Sequence, residues 1–287
     1  MSISIRELHP SLGVEVGGVD ISKPLSRETV LEIRKAWGRH GVLVFRDQDI
    51  SDSEHVAFAQ NFGDLEVLPE RDHTDGRLPE IFKVSNIGDD GELLPTSNES
   101  ATFNTLTWFW HTDSCYRSVP SRGAILHGIE VIQGGGGETR FANLRAALAE
   151  MPAALRARIE GRSATHSFAY MRTHRDLAPM KPEEAASVPA VHHKLIRSHP
   201  DGSQSLYISP VYMETISGMG HAETKALVEE LTEWASQDHF VYEHSWRPHD
   251  VVMWDNTWTM HLVMPYDNAN QRRRMHRTAI AGSQTVI

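Results

Sequence analysis

The stretch Thr107-Trp108-Phe109-Trp110-His111-Thr112-Asp113 sets an imidazole and a carboxylate two residues apart beside bulky apolar side chains. On an extended strand, residues i and i+2 share a face, so His111 and Asp113 could reach one point. Neutral histidine nitrogen and carboxylate oxygen together suit a divalent first-row metal. Two histidines with one carboxylate leave positions open for oxygen chemistry at non-haem iron(II). Such a site needs a second histidine, and His261 is the best candidate, in Trp254-Asp255-Asn256-Thr257-Trp258-Thr259-Met260-His261 after the apolar run Val251-Val252-Met253. Arg272-Arg273-Arg274 and Arg277 come shortly afterwards. Arginine offers a planar, permanently charged fork matched to a carboxylate. A solvated basic face is the plain alternative for that run, and strand alternation would point Arg273 away from its two neighbours.

Taken together, His111-Thr112-Asp113, the distant Trp-Asp-Asn-x(4)-His ending at His261, and Gln271-Arg272-Arg273-Arg274-Met275-His276-Arg277 resemble the TauD/TfdA family of Fe(II)- and 2-oxoglutarate-dependent dioxygenases. The likeness runs from Gly13-Val14-Glu15-Val16-Gly17-Gly18-Val19-Asp20 through Gly41-Val42-Leu43-Val44-Phe45-Arg46 to Ala281-Gly282, nearly the whole chain. The resemblance implies a mainly β fold with flanking α-helices, a double-stranded β-helix or jelly roll. Read from the residues themselves, one domain is expected over 1–287, with active-site loop insertions near 86–107, rich in Gly, Asp, Ser, Asn and Thr, and near 170–191, where Pro179, Pro182 and Pro189 break any period.

The same resemblance assigns roles. Fe(II) would be held by His111 and Asp113, at the end of one strand, and by His261 from the opposite sheet. The cosubstrates would be 2-oxoglutarate and O2. The remote carboxylate of 2-oxoglutarate falls to Arg273, with Arg272 as the other choice, and Thr139 in Gly136-Gly137-Glu138-Thr139 matches a turn that contacts it. Arg277 would help near the metal-bound carboxylate or a substrate anion, and Thr107, Arg197 and His199 would face the substrate. The expected substrate is a small organic anion of the aryloxyalkanoate (2,4-D-like) type, cleaved at its ether. Taurine, alkyl sulfonates and sulfate esters form the second choice. Trp108, Phe109, Phe168, Tyr170, Tyr207 and Tyr212 would either wall an aryl pocket or be ordinary core. A non-catalytic metal-binding β-helix protein is the reading of another class. The Arg273/Arg277 pair argues against it, because a bare metal module needs no carboxylate clamp.

A chain of 287 residues is long enough to bury a substantial core as one domain or two. One domain is expected, because a boundary between His111 and His261 would separate the ligands. Twenty-eight Lys+Arg against 38 Asp+Glu give a formal −10, which argues against a broad nucleic-acid or anionic-membrane surface. The sole cysteine, Cys115, cannot form an intrachain disulfide and reads as a small buried hydrophobe rather than a nucleophile. The N-terminus lacks the uninterrupted apolar core of a secretory signal, and no stretch reaches the ~20 apolar residues of a membrane span. A cytoplasmic homo-oligomer acting on a small molecule is therefore expected, without nucleic-acid or membrane partners.

The elements that must carry these residues follow from pattern. Ser26 precedes Val30, Ile33, Ala36 and Trp37, spaced for one helix face that ends near Gly41, and Val42-Leu43-Val44-Phe45 reads as a buried strand. Ser51-Asp52-Ser53-Glu54 has the spacing of a capping box opening a second helix. Strands are expected at 81–85, 124–131, 194–197, 206–208, 240–242, 250–254 and 275–281, with a helix over 222–236. Gly134-Gly135-Gly136-Gly137 precedes a strand-like segment, whereas a dinucleotide loop opens a helix, so it reads as a turn. His192, His193 and His199 invite a second metal site, but the adjacent pair would point to opposite faces of a strand.

Overall fold

The protein is described by a computed structural model at residues 3–67, 78–175 and 177–286. The chain opens with β1 (Ser4–Glu7) and β2 (Val14–Gly17), then α1 (Arg27–His40), β3 (Val42–Phe45), α2 (Asp52–Gln60), β4 (Phe82–Ser85) and α3 (Glu99–Asn104). Next come β5 (Gly123–Glu130), β6 (Thr139–Asn143), α4 (Leu144–Ala149), α5 (Ala153–Ile159), β7 (Ser163–His166), α6 (Phe168–His174), α7 (Pro182–Ser187) and β8 (Val191–Lys194). The remainder is β9 (Ile196–Ser198), β10 (Gln204–Leu206), β11 (Met213–Ile216), α8 (His221–Ala235), β12 (Val241–His244), β13 (Val251–Asp255), β14 (Thr259–Val263) and β15 (Arg274–Ile280).

Seven strands form the large sheet in the order β1-β2-β3-β13-β5-β15-β4, antiparallel except where β2 runs parallel to β3. A smaller sheet, β12-β6-β14, lies against it, beside a third sheet, β11-β7-β8, and the hairpin β9-β10. The central strand β13 is buried at every position, which is why its sequence is a continuous apolar run and not an alternation. Val251 and Met253 pack with Ile33, Trp37 and Phe58 of the two N-terminal helices. Val252 and Trp254 face the other way, onto Phe141 of β6 and Tyr242 of β12. The large sheet therefore has helices on its outer face and the small sheet on its inner face.

Local chemistry sets the helix limits. Ser26 accepts from the Thr29 N–H to cap α1, and the reciprocal Ser51/Glu54 box caps α2. Gly41 ends α1 at φ 72, where a Cβ would lie 2.5 Å from the Trp258 ring, so the turn requires glycine. The stretch expected as a loop over 86–107 carries α3 and a 3-10 turn, Thr105–Trp108, in its second half. The 170–191 excursion carries most of α6 and all of α7. No helix of the described residues is long and apolar enough to cross a membrane.

Candidate active site

His261 sits mid-strand on β14, its ring stacked 5.9 Å from Phe141 and tilted 4.8 Å from Trp254 between the two sheets. One edge of β14 is paired with β6; the other edge takes His111 in an isolated antiparallel bridge. The His111 N–H donates to the His261 carbonyl (2.9 Å) and the His261 N–H to the His111 carbonyl (2.8 Å). This pair of backbone bonds sets the two rings side by side, with centroids 4.2 Å apart. Asp113 opens the following turn, in which Ser114 adopts φ 55, and its carboxylate lies 4.0 Å from His111 Nε2 and 3.8 Å from His261 Nε2. One ligand atom from each of the three residues falls within 4.8 Å of the others, and all three residues are buried.

The hydrogen bonds fix which atoms face that point. His111 Nδ1 donates to the Phe109 carbonyl at 2.8 Å, so its Nε2 keeps a lone pair. Asp113 Oδ1 accepts from Arg277 Nη1 at 2.6 Å, whereas Oδ2 is buried with no hydrogen-bond partner among the described residues. Burial pushes both imidazoles toward the neutral form, His261 well below its ordinary range. Burial alone would raise the Asp113 carboxyl, but Arg277 and the two imidazoles outweigh it and hold the group at about 2. At neutral pH the trio is thus two neutral nitrogen donors and one carboxylate. A buried acceptor oxygen left unpaired among them is satisfied by a cation, so the donor set fits a divalent metal.

A separate space lies beside Arg273. It measures about 190 Å³ and is lined by Ile132, Gly136, Gly137, Trp246 and Arg273. Arg273 is 3% exposed and its Nη2 is buried with no hydrogen-bond partner among the described residues, while Arg272 and Arg274 turn outward to Glu130 at 2.8 and 2.7 Å. Gly136 and Gly137 both have positive φ, and a Cβ on either would come within 2.7 Å of Pro265 O or the Ile132 side chain. Thr139, buried on β6, holds one wall in place by accepting from Trp246 Nε1 at 2.9 Å.

Over His111 and Asp113 lies a cavity of about 170 Å³ with aromatic walls from Phe82, Phe103, Tyr116 and Tyr212 and cationic groups from Lys83 and Arg277. A larger groove of about 570 Å³ runs between α6 and α8. Pro210 and Met213 line the groove, Tyr212 lines the cavity, and Val211 lines both, so the chain at 210–213 is a single-thickness partition.

A family model described as taurine catabolism dioxygenase TauD, TfdA family, matches residues 4–279. The chain belongs to this family. Among its TauD/TfdA relatives is the alpha-ketoglutarate-dependent 2,4-dichlorophenoxyacetate dioxygenase of Cupriavidus pinatubonensis, 29% identical over 86% of each protein. The (S)-phenoxypropionate/alpha-ketoglutarate dioxygenase of Sphingobium herbicidovorans is 31% identical over 85% of this chain and 83% of its own length. The crystal structure of AAD-2 in complex with Mn(II) and N-oxalylglycine matches with a TM-score of 0.90 at 36% identity, over 99% of both chains. The two-sheet core is accordingly the double-stranded β-helix of TauD-type dioxygenases, which are oxidoreductases.

On this TauD/TfdA frame, several residues stand where the sequence did not put them. His261 does not come from the sheet opposite His111; the two share one ladder, because residue 111 extends the small sheet by a single bridge. Asp113 lies in a turn and not on a strand end. Arg197 and His199 do not line the cavity: the β9–β10 hairpin directs Arg197 over Tyr207 (5.6 Å) and His199 Nε2 onto Ser205 Oγ (2.9 Å). Thr107 does line it, with its hydroxyl donated to the Asn104 carbonyl at 2.7 Å.

Of the six aromatic residues considered, Tyr212 is a wall and Phe168 backs Tyr116 at 4.9 Å. Tyr207 is fully buried core, Tyr170 lines the outer groove, Trp108 meets Tyr266 at 5.7 Å, and Phe109 lies under Arg175 at 3.6 Å. His193 points inward to the Cys115 and Arg117 carbonyls, whereas His192 points outward to Thr165, so the adjacent pair makes no metal site. Phe82, Lys83, Phe103 and Tyr116 were missed. Phe82 and Lys83 stand in a segment read as a plain strand, and only the position of Tyr116, three residues past Asp113, signalled proximity.

Proposed function

We propose that the protein is an Fe(II)- and 2-oxoglutarate-dependent dioxygenase that hydroxylates a small aryloxyalkanoate anion of the 2,4-D type, with cleavage of its ether. The observation that carries this is the convergence of one ligand atom each from His111, His261 and Asp113 on one buried point, next to an aromatic cavity lined by the side chains of Lys83 and Arg277. The printed activities of the relatives, on 2,4-dichlorophenoxyacetate and phenoxypropionate, support the substrate class. The complex of AAD-2 with Mn(II) and N-oxalylglycine supports the metal and the oxo acid.

In this reading His111, Asp113 and His261 hold the iron, and the bound metal with 2-oxoglutarate supplies the oxidising power that inserts one oxygen atom of O2 into a substrate C–H bond. Arg277 holds Asp113 ionised and oriented through Oδ1, leaving Oδ2 for the metal. The His111–Phe109 bond keeps the imidazole in the tautomer that presents Nε2 inward. Arg273 presents a desolvated fork to the remote carboxylate of 2-oxoglutarate, where the absence of competing water strengthens the contact, and Thr139 keeps Trp246 against that space. The aromatic walls bring an aryl ring over the metal and exclude water, while Lys83 and Arg277 balance the anionic end. Hydroxylation of the carbon next to the ether oxygen gives a hemiacetal, which collapses to a phenol and an oxo acid.

The catalytic unit is taken to be one domain, as the site draws on residues from 111 to 277 and the family match spans nearly the whole chain. A cytoplasmic location fits the free, buried Cys115, and the expected self-association is read directly by light scattering. The deciding experiment measures succinate and phenol release from phenoxyacetates, with alkyl sulfonates and sulfate esters alongside. Equal amounts of succinate and phenol are expected. Succinate coupled instead to a sulfonate or sulfate ester would replace the substrate class, and absence of any oxoglutarate-dependent turnover in iron-loaded protein would overturn the reaction.

A further inference from the structure

Arg273 precedes β15, so no strand ladder holds its main chain. Both of its main-chain groups are taken instead by one residue. The Arg273 N–H donates to Asn86 Oδ1 at 2.8 Å, and the Arg273 carbonyl accepts from the Asn86 N–H at 3.1 Å. Asn86 Nδ2 donates to the carbonyls of Asn268 (3.1 Å) and Gln271 (2.7 Å). Asn86 is 1% exposed, and both polar atoms of its amide are spent on the 268–273 loop.

The need for such a clamp is written in the register. Arg274 pairs with Glu130, but Met275 pairs with Gly128, so the ladder between β15 and β5 shifts just after the arginine run. A slip of one residue exchanges the faces of a strand. With arginine at 272, 273 and 274, a slip would still put a guanidinium inward, but from a different Cα and at a different height in the cavity. Glu130 draws Arg272 and Arg274 to the outer side, and Asn86 secures the backbone between them.

We propose that Asn86 is a positioning residue that selects Arg273, out of three consecutive arginines, as the inward carboxylate clamp; the inference rests on the reading of Arg273 given above. The test compares two oxo acids with the same chelating end, 2-oxoglutarate and 2-oxobutyrate, of which only the first has a remote carboxylate. Each is titrated anaerobically into Fe(II)-loaded protein, and binding is followed by visible absorbance and calorimetry, without turnover. A charged hydrogen bond in the parent should favour 2-oxoglutarate roughly ten- to a hundredfold over 2-oxobutyrate.

Asn86→Ala should collapse that preference toward one while leaving 2-oxobutyrate binding near the parent value. Asn86→Asp keeps the acceptor for Arg273 and loses both donated bonds; it should fall between and serves where the alanine variant does not fold. If Arg273→Ala collapses the preference but the Asn86 variants weaken both oxo acids equally, or leave the preference at its parent value, Asn86 is only a structural residue and the proposal fails. If Arg273→Ala itself retains the preference, the clamp reading fails first and takes the proposal with it.

Discussion

Two clusters of histidines lie on opposite faces of the large sheet, the inner one buried throughout and the outer one buried at His55 and His127. The inner one, His111 and His261, shares the Asp113 carboxylate, and its ring centroids stand 4.2 Å apart. The outer one sits under α2 and gathers His55, His127, His249 and His276, with centroids 6.3 Å apart for His55–His127 and 6.0 Å for His127–His249. Its carboxylates stand at the rim, where Asp52 takes His276 Nδ1 at 2.6 Å and Asp49 lies 3.3 Å from His249. Alternation along β15 divides the two environments: Arg277 reaches inward to Asp113, while His276 and Thr278 face outward, Thr278 to His55. Burial lowers imidazole pKa in both places, His55 to about 3 and His127 to about 4. Desolvated histidine is therefore not what distinguishes a metal centre. Convergence is, and among the described residues only the inner cluster brings three ligand atoms together.

The comparison breaks most visibly on activity. His111→Ala, Asp113→Ala and His261→Ala should each reduce succinate release to the metal-free background at saturating Fe(II), since each removes one of three protein ligands. His127→Ala, in the outer cluster, should keep turnover near the parent's. A triad variant that remains active strikes its residue from the ligand set. The next effect concerns the inward and outward arginines. Arg273→Ala should lower 2-oxoglutarate affinity by about one to two orders of magnitude, from a charged hydrogen bond of about 1.5–3 kcal/mol, while Arg272→Ala stays close to the parent. The reverse order would place the clamp one residue earlier.

The outer cluster should show itself in acid. His127 has a folded pKa of about 4 against an ordinary value of 6.5, so the unfolded chain binds the proton more readily. Its contribution is fully present above pH 6.5 and is lost as pH falls toward about 4. The loss approaches about 1.4 kcal/mol per pH unit across that window. Metal-free His127→Gln should therefore lose less stability than the parent between pH 6.5 and 4.5 in urea titrations; parallel curves would show that His127 is not neutral in the fold. The smallest effect is expected at the cap of α2, the helix that covers this cluster. Ser51→Ala should cost about 1 kcal/mol of stability with no change in turnover, and a drop in activity would reveal coupling between the two faces.

Much of this arrangement was legible in the chain. Ser26, Gly41 and the Ser51–Glu54 box marked α1 and α2 because capping is local chemistry, and the unbroken apolar run at 251–253 marked a strand buried on both faces. The sheet β11-β7-β8 was not legible. Its strands read Ser-Ala-Thr-His, Val-His-His-Lys and Met-Glu-Thr-Ile, half exposed and polar, with no period to follow. The shared ladder of His111 and His261 rests on a single bridge, which leaves no periodic trace. The turn that swings Asp113 into place passes through Ser114 at φ 55, without the glycine that would have announced it. The outer histidines come from four separate stretches of chain, and only the folded sheet brings them together.

The partition at Pro210–Met213 carries a consequence for how such a protein changes over time. Val211 lines both the cavity of about 170 Å³ over His111 and Asp113 and the groove of about 570 Å³ outside it. Residues 210–212 form a turn outside the strands and supply none of the residues proposed to hold the metal or the oxo acid. A change of side chain at this partition therefore alters the space beside the cavity and leaves those residues in place.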